Sequence, residues 1–504
     1  MLRGWSHETP GRRAALALAV TAGALTLLIL AVTASEDSAP AQTAAKPNVV
    51  LVMTDDQTVE QMRALPNVRR LIGSQGTTFT RNFSTFPLCC PSRATYLTGQ
   101  YPQNHGVRGN QAPEGGFYKL DSSNTLPVWL RESGYATAHI GKYLNGYGTR
   151  GPRQVPAGWQ EWYGSVDPTT YNFRNYCLNE NGTLRVYGQT ALKKACPGAQ
   201  RRPHAYQGDL YTGKAVEYIG RRAPAAQPFF LSVAYLAPHS GGPNPANARC
   251  KGSAKPAARH RGRFANARLP RPPGFNERRV ADKPRFIRNL DRFNSAQIAA
   301  IRTDYQCRRE SLQAVDEGVA SMVEALRRSG ELDNTVFVFT SDNGFFGGEH
   351  RVKSGKIKAY EPSVRVPVLM RGPGVPRDKR TGQLTGNIDL ASTIVDATKA
   401  KPRRVLDGVS LRSLARRPSR FGRRDILLQN GPSAGQGNPR YVAIRTRRYK
   451  YVQYVDGQRE LYDLRLDRFE QRSVHASRRY RGVRRKLARE LARLRNCSGA
   501  ACRR

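Results

Sequence analysis

A chain of 504 residues, 39% of them hydrophobic, can bury a large core, which excludes a protein disordered over any long stretch away from its ends. There is room for one large α/β domain with an appendage, or for two to three ordinary domains. Lysine and arginine number 82 against 38 aspartates and glutamates, a net charge of +44, and such a field attracts polyanions.

The predicted elements begin with a leader. Arg12 and Arg13 precede an apolar run from Ala14 to about Val32, and a small, polar stretch from Thr33 to Lys46 follows. This order is that of a secretory signal over residues 1–45, with Ala39-Pro40-Ala41 as a cleavage site. The run is also long enough for an uncleaved N-terminal membrane anchor. Either reading places the rest of the chain outside the cytoplasm, secreted or in the cell envelope. Nucleic acid is then not the expected partner, and an anionic polysaccharide is the more natural one. Part of the charge excess is simply arginine scattered over exposed surface.

Pro47–Met53 reads as a buried strand ending at Thr54-Asp55-Asp56. Helical patterns follow over Leu65–Ser74, Pro91–Gly99 and Thr125–Ser133, then a strand over Tyr135–Ile140. Phe229–Leu236 is an apolar strand ending at Ala237-Pro238-His239. Cys250–Arg292, rich in Arg, Pro and Lys, reads as a long loop insertion. Ser295–Gly330 is helical, with Val315, Val319, Met322, Val323 and Leu326 on one face. Strands at Thr335–Thr340, ending in Ser341-Asp342-Asn343-Gly344, and at Val366–Met370 complete the alternation. Past residue 400, Tyr441–Ile444 and Tyr449–Val455 resemble antiparallel strands with a turn at Asp456-Gly457, and Val474–Arg495 reads as a basic helix.

Strands alternating with helices imply a mostly parallel sheet covered on both faces. Ligand sites in such sheets lie beyond the carboxyl ends of the strands, so Asp55-Asp56, His239 and Asp342-Asn343 are expected on one rim. Eight cysteines in an exported chain are expected to pair, and Cys177 with Cys196, Cys250 with Cys307 and Cys497 with Cys502 are the pairs suggested.

Cys89 and Cys90 stand apart from these. They open Cys89-Cys90-Pro91-Ser92-Arg93-Ala94-Thr95-Tyr96-Leu97-Thr98-Gly99, which sets a thiol at a helix start with an arginine one turn in. By itself this allows a low-pKa cysteine nucleophile or a buried structural cysteine. Cys-X-Pro-Ser-Arg followed by Leu-Thr-Gly resembles the signature of the type I sulfatases. The resemblance implies that Cys89 is oxidised to 3-oxoalanine (formylglycine) by a separate formylglycine-generating enzyme. It implies an alkaline-phosphatase-like α/β fold, a mostly parallel sheet between helices, over residues 46–400. A smaller C-terminal antiparallel-sheet subdomain would occupy 401–504.

The implied metal ligands are Asp55, Asp56, Asp342 and Asn343, with Cys89 in its oxidised form. Oxygen donors of this kind suit a hard cation, Ca2+, and the lack of clustered histidine and cysteine ligands argues against zinc. Arg93, Lys142, His239 and Lys356 fall at positions of catalytic or sulfate-binding residues. Lys353 is a nearby rival to Lys356, His105 is a candidate for the layer behind the site, and His350 lies near it in sequence without an assigned role.

A hydrated aldehyde offers one hydroxyl for attack on sulfur and a second whose deprotonation expels sulfate, which a serine could not do. Many members carry Gly-Lys-X-His, whereas this chain has Gly141-Lys142-Tyr143-Leu144, so Leu144 leaves the elimination step without an assigned base. Gly141-Lys142-Tyr143-Leu144-Asn145, Pro156-Ala157-Gly158-Trp159 and Glu460-Leu461-Tyr462-Asp463-Leu464 look most like the N-acetylglucosamine-6-sulfatase and heparan endosulfatase branch. The function implied is hydrolysis of a sulfate ester, with the 6-O-sulfate of glucosamine residues in sulfated sugars or polysaccharides as the suggested substrate. The alternatives are a phosphodiesterase or phosphonate monoester hydrolase of the same superfamily, and an arylsulfatase for small molecules.

Overall fold

The computed structural model describes residues 46–189, 192–223, 225–242, 248–417, 424–432 and 439–503. The leader reading falls on residues outside that range.

The sheet is built around strands too apolar to face water. β1 (Asn48–Thr54) is buried at every position, as are β8 (Phe229–Ala234) and β9 (Thr335–Ser341). Such unbroken runs suit the centre of a parallel sheet, where both faces are covered. β1 pairs in parallel with β8 on one side and β9 on the other. Side chains alternate across a strand. Accordingly Val49, Leu51 and Met53 enter one core with Ala94, Leu97 and Trp129. Val50 and Val52 enter the other with Val315, Val319, Met322 and Leu326. Each fully buried aliphatic side chain there contributes about 1.5–3 kcal/mol.

The remaining strands are β2 (Thr77–Phe83), β3 (Ala136–Gly141), β4 (Glu161–Ser165), β5 (Tyr176–Glu180), β6 (Thr183–Tyr187), β7 (Gln200–Arg202), β10 (Val368–Arg371) and β11 (Lys379–Gly386). The order across the 11-stranded sheet is β11-β2-β10-β9-β1-β8-β3-β4-β5-β6-β7. The centre from β9 to β4 is parallel, while β10, β5 and β6 enter antiparallel pairings.

The helix Ser295–Arg328 covers one face beside the helix Gln207–Arg222. It starts where expected because Asn294 and Gln297 form a reciprocal capping box. The helix Cys89–Thr98 lies on the opposite face. It begins at Cys89 and not at Pro91, so the proline sits inside the first turn, where its missing N–H costs no helical hydrogen bond.

Three disulfides join Cys177 to Cys196, Cys250 to Cys307 and Cys497 to Cys502, the pairs expected, and Cys89 and Cys90 are free and buried. The basic insertion has no long element, yet it is not simply a solvated loop. Cys250–Cys307 fastens it to the long helix, and Ser253, Lys255, His260 and Ile287 are buried.

A second sheet, β12 (Ile426–Gln429), β13 (Tyr441–Arg445), β14 (Tyr449–Tyr454) and β15 (Arg459–Asp463), is wholly antiparallel. The Asp456-Gly457 turn joins β14 to β15. The helix Arg481–Leu494 packs Leu487, Leu491 and Leu494 against Leu427, Ile444 and Tyr451. It is shorter than the Val474–Arg495 pattern suggests, because Val474 donates its N–H to Leu461 and turns the chain first.

Candidate active site

The order β9-β1-β8-β3 places the carboxyl ends of four neighbouring strands side by side. Asp55 and Asp56 follow β1, Lys142 follows β3, His239 lies just past β8, and Asp342 and Asn343 follow β9. Asp56 has φ 68°, a left-handed turn that ends the alternation of the strand. Both neighbouring carboxylates can therefore face the same centre.

The helix Cys89–Thr98 delivers Cys89 and Arg93 to that centre, and the other motif residues explain its seating. The Ser92 hydroxyl donates to the Asp342 carbonyl and accepts from Asn387 at 2.9 Å, tying the helix to the end of β9. The Cys90 N–H donates to the Asn110 side chain at 3.0 Å. Gly99 terminates the helix with φ 65°, and a Cβ there would lie 2.7 Å from Leu406. Gly141 likewise has φ 104°, and its Cβ would come within 2.2 Å of the Ala234 carbonyl, so only glycine lets Lys142 leave β3 this close to β8.

Cys89 lies at the middle of the cluster. Its Sγ is 3.5 Å from Asp55 Oδ1 and 2.9 Å from Lys356 Nζ. Lys142 contacts Asp55, and Lys356 contacts Asp56. Arg93 donates Nε to Asp342 at 2.9 Å and Nη1 to the Lys142 carbonyl at 2.7 Å. His239 Nε2 is 3.6 Å from Asp56. All the sequence-assigned residues thus meet in one buried cluster. Lys356, and not the exposed Lys353, is the lysine that reaches it.

The electrostatics follow from burial opposed by partners. Burial alone would raise Asp55, but Lys142, His239, Lys356 and Arg93 outweigh it and hold this carboxylate well below its ordinary range. Asp342 goes the other way, pushed up to about 6 by burial and by the Asp55 charge. Burial would lower Lys142, yet Asp55 keeps it firmly protonated. His239 is lowered, since burial outweighs Asp56 and Asp55, so its imidazole is neutral near pH 7. Burial, reinforced by Asp55, pushes the Cys89 thiol up to about 12, against the pull of Lys142 and Lys356. The low-pKa cysteine that a helix start and Arg93 allow is therefore not what the fold makes. As a thiol, Cys89 stays protonated and is a poor nucleophile.

The donor set fits a hard divalent cation. Three carboxylates converge, Asn343 Oδ1 is buried without a hydrogen-bond partner, and an amide oxygen so placed is a ligand in waiting. Asp55, Asp56, Cys89 and His239 also bring ligand atoms within 4.8 Å of one another, so, contrary to the sequence expectation, one histidine and one cysteine do cluster with the carboxylates.

Three residues in and around the cluster were not legible from the sequence. The Tyr171 ring lies under Lys142 Nζ at 4.7 Å and against His239 at 5.1 Å. Asn145 donates to the Tyr171 hydroxyl at 2.6 Å. Arg308 donates to the Asp56 carbonyl. Tyr171 and Arg308 stand in no motif, and Asn145 closes the Gly141-Lys142-Tyr143-Leu144-Asn145 run, which assigned it no role.

Leu144 is buried in the apolar core and brings no base to the cluster. His105 does stand behind the site, its Nε2 3.1 Å from Thr95 Oγ1 on the Cys89 helix. His350 does not join the cluster. Its Nδ1 pairs with Glu277 at 2.7 Å and its ring stacks on Tyr360.

Residues 47–400 match the family described as Sulfatase, and residues 348–497 match the C-terminal family of N-sulphoglucosamine sulphohydrolase. The chain belongs to the sulfatase family. A Sulf-1 homolog of Caenorhabditis elegans is 34% identical over 73% of this chain, which spans about half (49%) of that relative's length. Human N-acetylglucosamine-6-sulfatase is 33% identical over 76% of this chain and 67% of its own. Among solved structures, BT4656 in complex with its substrate D-glucosamine-2-N,6-O-disulfate superposes with a TM-score of 0.73. It covers 89% of this chain and 97% of its own at 22% identity, and so shares the fold. The sulfatase-family chain thus has the α/β architecture and the separate antiparallel sheet that its sequence suggests.

Proposed function

We propose that this sulfatase-family protein is an exported enzyme that hydrolyses the sulfate ester of a sulfated sugar, the 6-O-sulfate of glucosamine residues being the preferred substrate. The observation that carries this reading is the convergence on Cys89 of two lysines, an arginine and three carboxylates at adjacent strand ends. A buried cationic lining of this kind fits a tetrahedral dianion-like centre, and the carboxylates fit the cation that would share it.

Asp55, Asp56, Asp342 and Asn343 would hold Ca2+, which supplies a Lewis acid for a sulfate oxygen. Cys89, oxidised to formylglycine by a formylglycine-generating enzyme, supplies a hydrated aldehyde as nucleophile. The chain's own side chains do the rest. With the carboxylates neutralised by the cation, Lys142 and Lys356 are left to pair with sulfate oxygens. Arg93, fixed between Asp342 and the Lys142 carbonyl, keeps its positive charge over the nucleophile while burial works against it. His239 is neutral and its Nδ1 faces the Ser240 carbonyl at 2.7 Å, which fixes the ring with Nε2 toward Asp56. In that neutral tautomer Nε2 carries no proton, so it has to take one up before it can pass one to the departing sugar oxygen. Tyr171 holds Lys142 and His239 side by side.

The named relatives support the substrate class: one is an N-acetylglucosamine-6-sulfatase and another an extracellular sulfatase homolog. Among the described residues no helix is long and apolar enough to cross a membrane.

The deciding experiment measures kcat/KM of the purified protein, with Cys89 conversion verified by peptide mass spectrometry, on glucosamine 6-sulfate, an aryl sulfate and an aryl phosphate diester. The sugar sulfate should be the best substrate. Preference for the phosphate diester would overturn the sulfatase reading, and preference for the aryl sulfate would overturn the sugar assignment.

A further inference from the structure

A cavity of about 580 Å³ is bordered by the loops that follow β1 and β9, the strands whose ends carry Asp56 and Asn343. Its walls are the 58–63 turn after β1, the 301–308 face of the long helix, the 269–274 stretch of the basic insertion, the 345–350 loop after β9, the 361–365 turn, and the 468–470 stretch after β15. None of Cys89, Lys142, His239 and Lys356 lines it. Its volume is that of a small-ligand site.

The lining combines aromatic faces with cations. Tyr305, Phe345, Phe346 and Phe469 supply the apolar surface. Arg308, its side chain 3% exposed, stacks over Phe345 at 4.0 Å. Arg271 and Arg468 also line the cavity, over the Phe275 and Phe469 rings at 5.6 and 4.6 Å, and among the described residues neither has an ion-pair partner, whereas Arg365 donates twice to the Thr80 carbonyl. The acidic side chains are otherwise engaged. Glu361 and Glu470 are met from behind by Lys450. Glu60 is 3.9 Å from Arg63, Asp304 is 4.0 Å from Arg308, and Glu349 accepts the Gly347 N–H. Five arginines line the cavity against five carboxylates, and because Glu361 and Glu470 are paired with Arg445 and Lys450 outside it, the balance left to a ligand is positive.

The cavity is also held in shape. Gly348, His350 and Arg351 all have φ between 51° and 106°, a costly run for two non-glycine residues. Arg351 locks it by donating to the carbonyls of Glu277, Leu290 and Arg278 at 2.8 to 2.9 Å. His350, whose Nδ1 is taken by Glu277, turns its ring to the cavity wall beside Gly274. Strain maintained by three hydrogen bonds is the mark of a preorganised wall. Arg308 links this wall to the reaction centre, since it also donates to the Asp56 carbonyl.

We propose that this cavity is a second binding site, for an acidic sugar ring bearing sulfate or carboxylate, which rests on the sulfated-sugar reading above and makes the substrate a polymer. Aromatic faces pack on the ring while the arginine forks take its anionic group.

The test compares wild type with the Arg271→Glu/Arg468→Glu double variant, both substitutions being on the exposed rim. A sulfated glucosamine–uronate tetrasaccharide is titrated calorimetrically, and kcat/KM is measured for it and for glucosamine 6-sulfate. Tetrasaccharide affinity should fall at least about tenfold, as expected for lost charge-assisted hydrogen bonds. The tetrasaccharide-to-monosaccharide ratio of kcat/KM should fall with it, through KM. Unchanged affinity, or an equal loss on both substrates, would overturn the second site. A carboxyl-reduced tetrasaccharide separates the anions: lost sensitivity to the double variant assigns the site to carboxylate, retained sensitivity to sulfate. If wild type hydrolyses no sulfate ester, the catalytic reading fails, and the calorimetric comparison still decides this one.

Discussion

Two clusters of buried charge lie in this fold, and they are satisfied to different degrees. In the cluster joining the main sheet to the antiparallel one, Lys450, fully buried, sits between Glu361 at 3.2 Å and Glu470, and Arg445 donates to Glu361 at 2.9 Å. Burial would raise Glu361, but Arg445, Lys450 and Arg365 hold it far below its ordinary range. At the strand ends, by contrast, Asn343 Oδ1 and Arg93 Nη2 are buried without hydrogen bonds, and Asp342 is pushed up to about 6. Glu470 in the first cluster is also raised, by burial and by Glu361, and its Oε1 also lacks a hydrogen bond, but Lys450 lies against that oxygen as an ion pair, so opposite charges close the network and glue two sheets. A network with open valences and a strained carboxylate is arranged around charges that arrive with ligands.

The largest effect expected tests the open cluster. Cys89→Ala removes the precursor of the nucleophile and should lower kcat on a sulfate ester by at least about 10⁴-fold, as loss of a covalent nucleophile does. Melting temperature should hold, because Cys89 contributes little packing; a variant that keeps measurable turnover would end the mechanism. Chelation comes next. Removing divalent metal should abolish activity and lower the melting temperature, with Ca2+ restoring both, and saturation at 100 times Kd is worth about 2.7 kcal/mol. Asp342→Asn should erase most of that calcium response. Full activity in chelator would refute the assigned ligands.

The closed cluster should answer the opposite way. Lys450→Met strips Glu361 and Glu470 of a shared partner. Breaking a buried pair from one side typically costs about 3–5 kcal/mol. Urea unfolding should show that loss, while kcat of the protein still folded stays near wild type. A collapse of kcat at unchanged stability would erase the distinction between the clusters.

The sequence exposed the open cluster far better than the closed one. β1, β8 and β9 were legible because parallel central strands are continuous apolar runs, and each ends at once in polar residues. Cys89, Arg93 and Gly99 were legible because a motif fixes their spacing along one helix. The short strands β4 to β7 carry mixed burial and lie toward a sheet edge, so no period marked them. Arg308 reaches Asp56 across 252 residues from the middle of a long helix whose apolar stripe was the only signal. Tyr171 meets Lys142 and His239 through a turn with no pattern of its own. Glu361, Lys450 and Glu470 come from three separate segments, and opposite charges far apart in sequence advertise nothing.

A raised carboxylate outside both clusters sharpens the comparison with the smallest effect. Asp425, at the start of the antiparallel sheet, is pushed up to about 6 by burial and by Glu490, against Arg493, Lys486 and Arg445. It differs from Asp342 in that burial and the Glu490 charge move it, and among the described residues it belongs to no group of converging ligand atoms. The folded value lies above the unfolded one near 4, so the folded state holds the extra proton between them. Stability from this group is therefore present below pH 4 and is lost as pH rises through 6. Asp425→Asn removes that loss and should stabilise the protein by about 2 kcal/mol at pH 7 relative to pH 4, with no change in kcat or in the calcium response. Thermal melts across pH 4 to 7, with and without Ca2+, measure it. A calcium-dependent difference between Asp425→Asn and wild type would mean that a raised pKa by itself marks a ligand site, and that the open valences at Asn343 and Arg93 were not the distinguishing feature.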